Sequence, residues 1–231
     1  VPDMLVMVPV RGRRANAGRF IAAFGETVRG ATDLLLIGDD DDPSYNGLDL
    51  AGAQMMKLPC MPGPGGKLIP PTIVVKMNTA AGLYADRYPV LMFTGDDTIP
   101  RTEGWDKLLC AAIAGMGGTG YAYPDDRRRN DIPEHVAISS NIFWALGWFA
   151  NPALKHFYID NTWADLGSGA ECIRYVPEAV LEHKHPTCCP EVAGDATYAG
   201  AAGHLPGDYA RYLEWQATRY QQDLAKIRAL R

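Results

Sequence analysis

The sequence predicts an α/β protein built on a single mixed, mostly parallel sheet flanked by helices. Three apolar runs carry that expectation: Met4 to Pro9, Asp33 to Gly38 and Val90 to Phe93. Each is short and lacks polar alternation, the pattern of a strand buried on both faces. Each ends in glycine or charged residues, and an open sheet of this kind binds its ligands outside the carboxyl ends of its strands. Those ends are where chemistry is expected.

The chain has 231 residues. That suits one α/β domain spanning 1–231, with a C-terminal helix from about 205 to 231 against the core. Five cysteines (Cys60, Cys110, Cys172, Cys188, Cys189) show no C-x-x-C spacing. An odd count with one adjacent pair argues for a reducing compartment, and cytoplasmic localisation is expected. No apolar run is long enough to span a bilayer, and no signal peptide is expected. A net charge of -5 excludes a global basic field for nucleic acid, although local basic clusters remain.

Taken in order, the Met4 to Pro9 strand runs into Arg11-Gly12-Arg13-Arg14 and then a helix from about Ala15 to Arg29. Strand, basic glycine turn and helix form a phosphate-binding layout, and we favour that role over a solvated turn. The second strand ends in Asp39-Asp40-Asp41-Asp42. Four consecutive carboxylates cannot all be buried and ionised, so most are solvated and one or two are left to hydrogen-bond a base or ribose. Residues 59–71 are rich in proline and glycine and read as a loop. Pro71 to about Asp86 reads as a helix in which Lys76 and Asn78 can face a nucleotide.

The Val90 strand ends in Gly95-Asp96-Asp97. Two adjacent carboxylates repel, and a divalent cation with oxygen ligands relieves them; an acidic turn leading to the helix at Trp105 is the other reading. After that helix come a short strand, Tyr121 to Pro124, and a charged loop, Asp125 to Asp131. The loop is read first as solvated. Its second reading gives Arg127, Arg128 and Arg129 an anionic acceptor. His135 to Ser140 is a strand running into a short helix around Trp144. Asp160 follows an apolar lead-in, with Trp163 and Asp165 close behind; it is either a helix N-cap or a catalytic carboxylate beside an aromatic wall. Two strand segments, Arg174 to Pro177 and Val180 to Glu182, lead to His183 and His185, whose spacing can aim both rings at one metal site. The final helix carries a stripe of Tyr209, Leu213, Tyr220, Leu224 and Ile227, read as core-facing.

Four stretches together resemble GT-A fold glycosyltransferases, in particular small ones common in bacteriophage genomes. Val8-Pro9-Val10-Arg11-Gly12-Arg13 is similar to their first strand and nucleotide loop. Gly95-Asp96-Asp97-Thr98 with Gly104-Trp105-Asp106 is similar to their metal-binding DXD region, although it reads Asp-Asp-Thr. Tyr158 to Gly167 resembles the acidic acceptor-side motif, and Glu182-His183-Lys184-His185-Pro186 the late metal-ligand histidine.

The resemblance implies a metal-dependent glycosyltransferase that moves a sugar from a nucleotide sugar, UDP-linked, to an acceptor hydroxyl with inversion. Mn²⁺ or Mg²⁺ would be held by Asp97, His183 and His185. Pro9, Arg11, Arg13, Asp39, Asp40, Lys76, Asn78 and Asp96 would bind the nucleotide sugar, and Asp160 would be the general base. Trp105, Trp144, Trp163, Asp165, Arg127, Arg128 and Arg129 would meet the acceptor. The favoured acceptor is a 5-hydroxymethylpyrimidine in phage DNA, its flipped base walled by Trp144 and Trp163, which would place the enzyme in the host cytoplasm. The alternatives are a virion protein or surface glycan as acceptor, or a nucleotidyltransferase of similar fold. No protein partner is expected.

Overall fold

A computed structural model describes residues 2–186, 189 and 196–231. The chain runs β1 (Met4–Pro9), α1 (Arg14–Thr27), β2 (Thr32–Asp39), β3 (Gln54–Leu58), β4 (Met61–Pro62), β5 (Leu68–Ile69), α2 (Ile73–Tyr84), β6 (Val90–Phe93), β7 (Thr98–Pro100) and α3 (Trp105–Ala114). It continues with β8 (Tyr121–Asp125), β9 (Val136–Ser139), α4 (Ser140–Leu146), α5 (Ile159–Gly169), β10 (Ile173–His183), α6 (Ala196–Ala202), α7 (Leu205–Thr218) and α8 (Tyr220–Arg228). Eight strands form one sheet in the order β3-β2-β1-β6-β9-β8-β10-β7. Pairing is parallel from β3 to β6 and between β8 and β10, and antiparallel around β9 and at β7.

β1 explains the layering. Its Met4, Val6 and Val8 face the core formed with α1 and α3, while Leu5 and Met7 face the core formed with α2, α4, α5, α7 and α8. A strand sandwiched between two apolar layers has no polar face to offer, hence the unbroken apolar run. Thr72 caps α2 by accepting the Val75 N–H at 3.3 Å.

Several elements differ from the expectation. β3 and β7 were not foreseen. The two late strand segments are one strand, β10, whose pairing with β8 shifts register between Val176 and Val180. The proline-rich loop holds the small β4–β5 hairpin. The last helix breaks at Arg219 into α7 and α8. Leu224 and Ile227 are buried and Tyr220 packs against the core, but Tyr209 and Leu213 stand about half exposed. Tyr212 and Trp215 take the inward places because Asp208, fully buried, turns that face of α7 to the 155–157 backbone. Its carboxylate accepts the N–H groups of Lys155, His156 and Phe157 at 2.8–3.1 Å. Cys60, Cys110, Cys172 and Cys189 are thiols; Cys188 lies outside the described residues. Among the described residues no helix is long and apolar enough to cross a membrane.

Candidate active site

Parallel pairing brings the carboxyl ends of β1, β2 and β6 to one edge, and β8 and β10 end on the same edge as the start of β9. At that edge the β1 turn and the acidic end of β2 lock together. Arg11 donates to Asp39 at 2.7 Å and makes a two-pronged contact with Asp41 at 2.7 and 3.1 Å. The hydrogen bond to Asp41 does most to keep Arg11 protonated, and in return the Asp41 carboxyl falls to about 2. Asp42 accepts the Gly12 N–H at 2.7 Å and the Ser44 N–H at 2.9 Å. Asp39 is completely buried beneath Arg11 and Lys76, whose Nζ lies 2.9 Å from it and 3.1 Å from the Val10 carbonyl oxygen. Burial lowers the Lys76 pKa even against this pairing. Asp39 and Lys76 therefore form a buried, charge-paired floor beneath Arg11 at this edge. Asp40 is exposed and accepts the Cys60 N–H at 3.0 Å.

The centre of the site is Asp97. Its Oδ1 stands 3.4 Å from His183 Nε2, and its Oδ2 accepts the Tyr198 hydroxyl at 2.7 Å. Gly95 makes this possible, because a Cβ there would collide with the Asp97 carboxylate. Burial works against ionising Asp97, but the hydrogen bonds of His183 and Tyr198 outweigh it and hold the carboxyl below its ordinary range. Burial likewise opposes charge on His183, yet Asp97 and Glu134 raise the imidazole to about 9. Arg13 reaches across from the β1 turn, 3.2 Å from Asp96 Oδ1 and 3.6 Å from Asp97 Oδ2, with its guanidinium 3.8 Å from the centre of the Tyr198 ring. The His185 ring packs on both His183 (5.4 Å) and Tyr198 (4.9 Å). A carboxylate and an imidazole 3.4 Å apart, already drawing a guanidinium, are a donor set that fits a divalent cation once the His183 Nε2 gives up its proton.

Behind His183 sit three residues that local reading of the sequence passed over. Glu134 Oε2 is 3.0 Å from His183 Nδ1. His135 lies between the Thr94 and Thr98 hydroxyls, each 3.3 Å from a ring nitrogen. Asp126 accepts the backbone N–H groups of Arg128 and Arg129. Asp126, His135 and His183 each bring a ligand-type atom within 4.8 Å of the others. Their one sequence signal is the clustering of acids and histidine at the two ends of a loop that joins neighbouring strands. Tyr198, on α6, gave no signal.

Asp160 stands in the first turn of α5, and burial raises its pKa, with the charge of Glu134 acting in the same direction. It is not the N-cap. That position is Tyr158, in a left-handed conformation with φ 63°. The loop with Arg127, Arg128 and Arg129 borders this side. Each arginine has a carboxylate partner: Arg127 to Glu182 at 3.9 Å, Arg128 to Glu134 at 3.0 Å and Arg129 to Asp131 through two bonds of 2.8 Å.

Five expected site residues stand elsewhere. Asn78 spends its amide on the 149–150 backbone, accepting from Phe149 and Ala150 and donating to the Ala150 carbonyl. Trp105 is fully buried on α3 and donates to Thr27. Trp163 is buried between Phe93 and Phe149 and donates to the Phe149 carbonyl. Trp144 is exposed, but on α4, which leaves the sheet where Ser140 meets the chain before β6, the edge opposite the site. Asp165 accepts from Tyr212 at 2.6 Å and Gln216 at 2.9 Å and so anchors α7.

His135 makes acid stability testable. Burial lowers its pKa to about 3 from the ordinary 6.5. A base depressed in the fold contributes stability that is complete above pH 6.5 and is lost as pH falls toward 3, at up to about 1.4 kcal/mol per unit. Melting temperature measured with chelator present is expected to fall between pH 6.5 and 4.5, and less steeply in His135→Gln. Parallel curves for the two proteins would assign the acid lability to other groups.

No family model matches the sequence, and no curated protein matches it. Solved structures do. A mannosyltransferase from Pyrobaculum calidifontis, in complex with GDP-mannose and Mn²⁺, aligns with 99% of this chain and 75% of its own at TM-score 0.56 and 12% identity. The fold is GT-A. Glucosyl-3-phosphoglycerate synthase from Mycobacterium tuberculosis, with Mn²⁺, UDP-glucose and glycerol 3-phosphate, shares this GT-A fold over 80% of the chain and 73% of its own, at TM-score 0.55 and 15% identity. S. aureus TarS 1-349, in complex with UDP-GlcNAc, matches 78% of the chain at TM-score 0.57 and 10% identity. The matched part spans 57% of that TarS chain and 37% of a second, longer TarS structure.

Proposed function

We propose that this GT-A protein transfers a glycosyl group from a nucleoside diphosphate sugar to an acceptor hydroxyl. The observation that carries the reading is the Asp97–His183 pair, 3.4 Å apart at the carboxyl edge of the sheet and beside the Arg11-Gly12-Arg13 turn. Structures of the same fold that hold UDP- or GDP-sugars with Mn²⁺ support it. Asp97 and His183, with His185 beside them, would hold Mn²⁺ or Mg²⁺, which supplies positive charge to offset that developing on the departing diphosphate. Arg13, now on Asp96 and Asp97, is placed to turn onto the phosphates. The exposed Asp40 and the Asp41–Arg11 pair border the base and ribose, UDP being our reading of the nucleotide. Asp160, its pKa raised, takes the proton from the attacking hydroxyl. One displacement with one base inverts the anomeric centre.

For the acceptor we favour a glycan or protein hydroxyl over hydroxymethylated DNA. The DNA reading rested on Arg127, Arg128 and Arg129 and on Trp144 and Trp163. The arginines are ion-paired at home, the Trp163 ring is enclosed in the core, and Trp144 stands on α4 at the opposite edge of the sheet. The deciding assay incubates the protein with Mn²⁺ and a panel of UDP- and GDP-sugars, with glycan, protein and 5-hydroxymethylpyrimidine DNA acceptors. Acceptor-dependent release of nucleoside diphosphate is expected. Release of pyrophosphate from a nucleoside triphosphate would instead make the protein a nucleotidyltransferase, and a hexose or pentose adduct on the DNA would restore the first acceptor.

A further inference from the structure

A histidine that ligates a metal through one ring nitrogen works best when its other N–H is held, because that fixes both tautomer and ring plane. In this chain His183 Nδ1 stands 3.0 Å from Glu134 Oε2, while Nε2 faces Asp97. The Glu134 oxygen is itself fixed, since Arg128 Nη1 donates to the same Oε2 at 3.0 Å. Arg128 is anchored in turn by its backbone N–H, which Asp126 Oδ1 accepts at 2.7 Å. The Asp126 carbonyl also accepts the His183 N–H at 3.0 Å. Loop and strand end are thus tied at two levels, backbone and side chain. The His183 ring has little freedom to turn, packed edge-on against His135 at 4.8 Å with His185 on it at 5.4 Å. The Glu134 side chain is 11% exposed, so water screens this pair far less than an ion pair on the surface.

We propose that Glu134 is a positioning residue for the metal site: its carboxylate holds the His183 imidazole with Nε2 turned to Asp97, and Arg128 fixes the rotamer of Glu134. The inference rests on the reading of Asp97 and His183 as metal ligands. It assigns a carboxylate–imidazole–metal relay that spans 49 residues of sequence. It also separates Glu134 from Asp160: one acid serves the metal side, the other the acceptor.

The test uses Mn²⁺ alone as probe, its affinity for the purified protein read from the electron paramagnetic resonance signal of the free ion, with no donor or acceptor present. Glu134→Gln is expected to weaken Mn²⁺ binding about 10- to 100-fold. His183→Ala should weaken it at least as much, and both proteins should remain folded in chelator by circular dichroism. If Glu134→Gln does not fold, Glu134→Asp, which withdraws the carboxylate by one methylene, is expected to weaken Mn²⁺ in the same direction. Wild-type affinity in the folded Glu134 variant, with affinity lost in His183→Ala, overturns the positioning role and leaves the metal reading standing. Unchanged affinity in both overturns the metal reading and this inference together. Turnover lost in Glu134→Gln at unchanged Mn²⁺ affinity assigns Glu134 to proton transfer and overturns the inference as well.

Discussion

Asp97→Ala is expected to weaken Mn²⁺-dependent binding of a uridine sugar nucleotide at least about tenfold, or about 1.4 kcal/mol. The Asp97 carboxylate is the common partner of three groups at the site: His183 Nε2 at 3.4 Å, Arg13 at 3.6 Å and the Tyr198 hydroxyl at 2.7 Å. Without it the imidazole and the guanidinium share an edge with one anion fewer, and a divalent cation loses an oxygen donor. Asp97 has a second job, since its bond to Tyr198 ties α6 down over the β1 turn. The two jobs separate in calorimetry. If Asp97 acts only by holding α6, donor affinity drops by the same factor with Mn²⁺ or with chelator. If it holds the metal, chelator weakens the wild type and leaves Asp97→Ala unchanged. Equal affinity of variant and wild type in Mn²⁺ would remove the metal from this account.

The contrast between Asp97 and Glu134 marks what could be read from sequence. Asp97 lies in the turn just past an apolar strand, at the sheet edge where ligands bind. Glu134 lies in a charged loop where an acid is ordinary, and its meaning comes from a histidine 49 residues away. Tyr198 is further still, 101 residues from the Asp97 it bonds. The buried strands β1, β2 and β6 were legible because an apolar layer on each side forces an unbroken pattern. β3, with Gln54 and Lys57 exposed at the sheet's edge, and β7, three residues long, carry no such pattern. The tryptophans misled for a related reason. An aromatic ring near an acid serves a ligand or the core equally well in sequence. For Trp105 and Trp163 the indole N–H finds an internal acceptor and the ring is enclosed. Tyr209 and Leu213 failed by one position, since a helical stripe shows that one face is buried without saying which neighbour, here Asp208, sets its angle.

Asp160→Asn is expected to lower turnover by roughly 10²-fold or more while donor affinity stays at the wild-type value. Two jobs compete for this carboxylate. Sequence framed the rival as N-capping, but Tyr158 occupies the cap and makes no side-chain bond there. The structural job that remains is smaller: Asp160 Oδ1 accepts the Asn161 N–H at 2.9 Å, and its charge sits in the first turn of α5. The carbonyl oxygen of asparagine can keep that bond. The interaction of a negative charge with the helix N-terminus, about 0.3–1 kcal/mol, is lost, but burial and Glu134 already oppose that charge, so the melting temperature should shift little. Asparagine cannot take a proton at neutral pH, so the catalytic job disappears. The pH profile gives the second reading. Burial and the charge of Glu134 raise the Asp160 pKa, against the Asn161 hydrogen bond and the charge of Arg129. A base must be ionised to act. Wild-type kcat/KM should therefore fall as pH drops through a value above the ordinary Asp range, and the residual activity of Asp160→Asn should lack that acid limb. Asp165 is not available as a substitute, since Tyr212 and Gln216 hold it against α7. Normal turnover in Asp160→Asn would consequently exclude the inverting mechanism with Asp160 as base, and a retained acid limb would move the titration to another group.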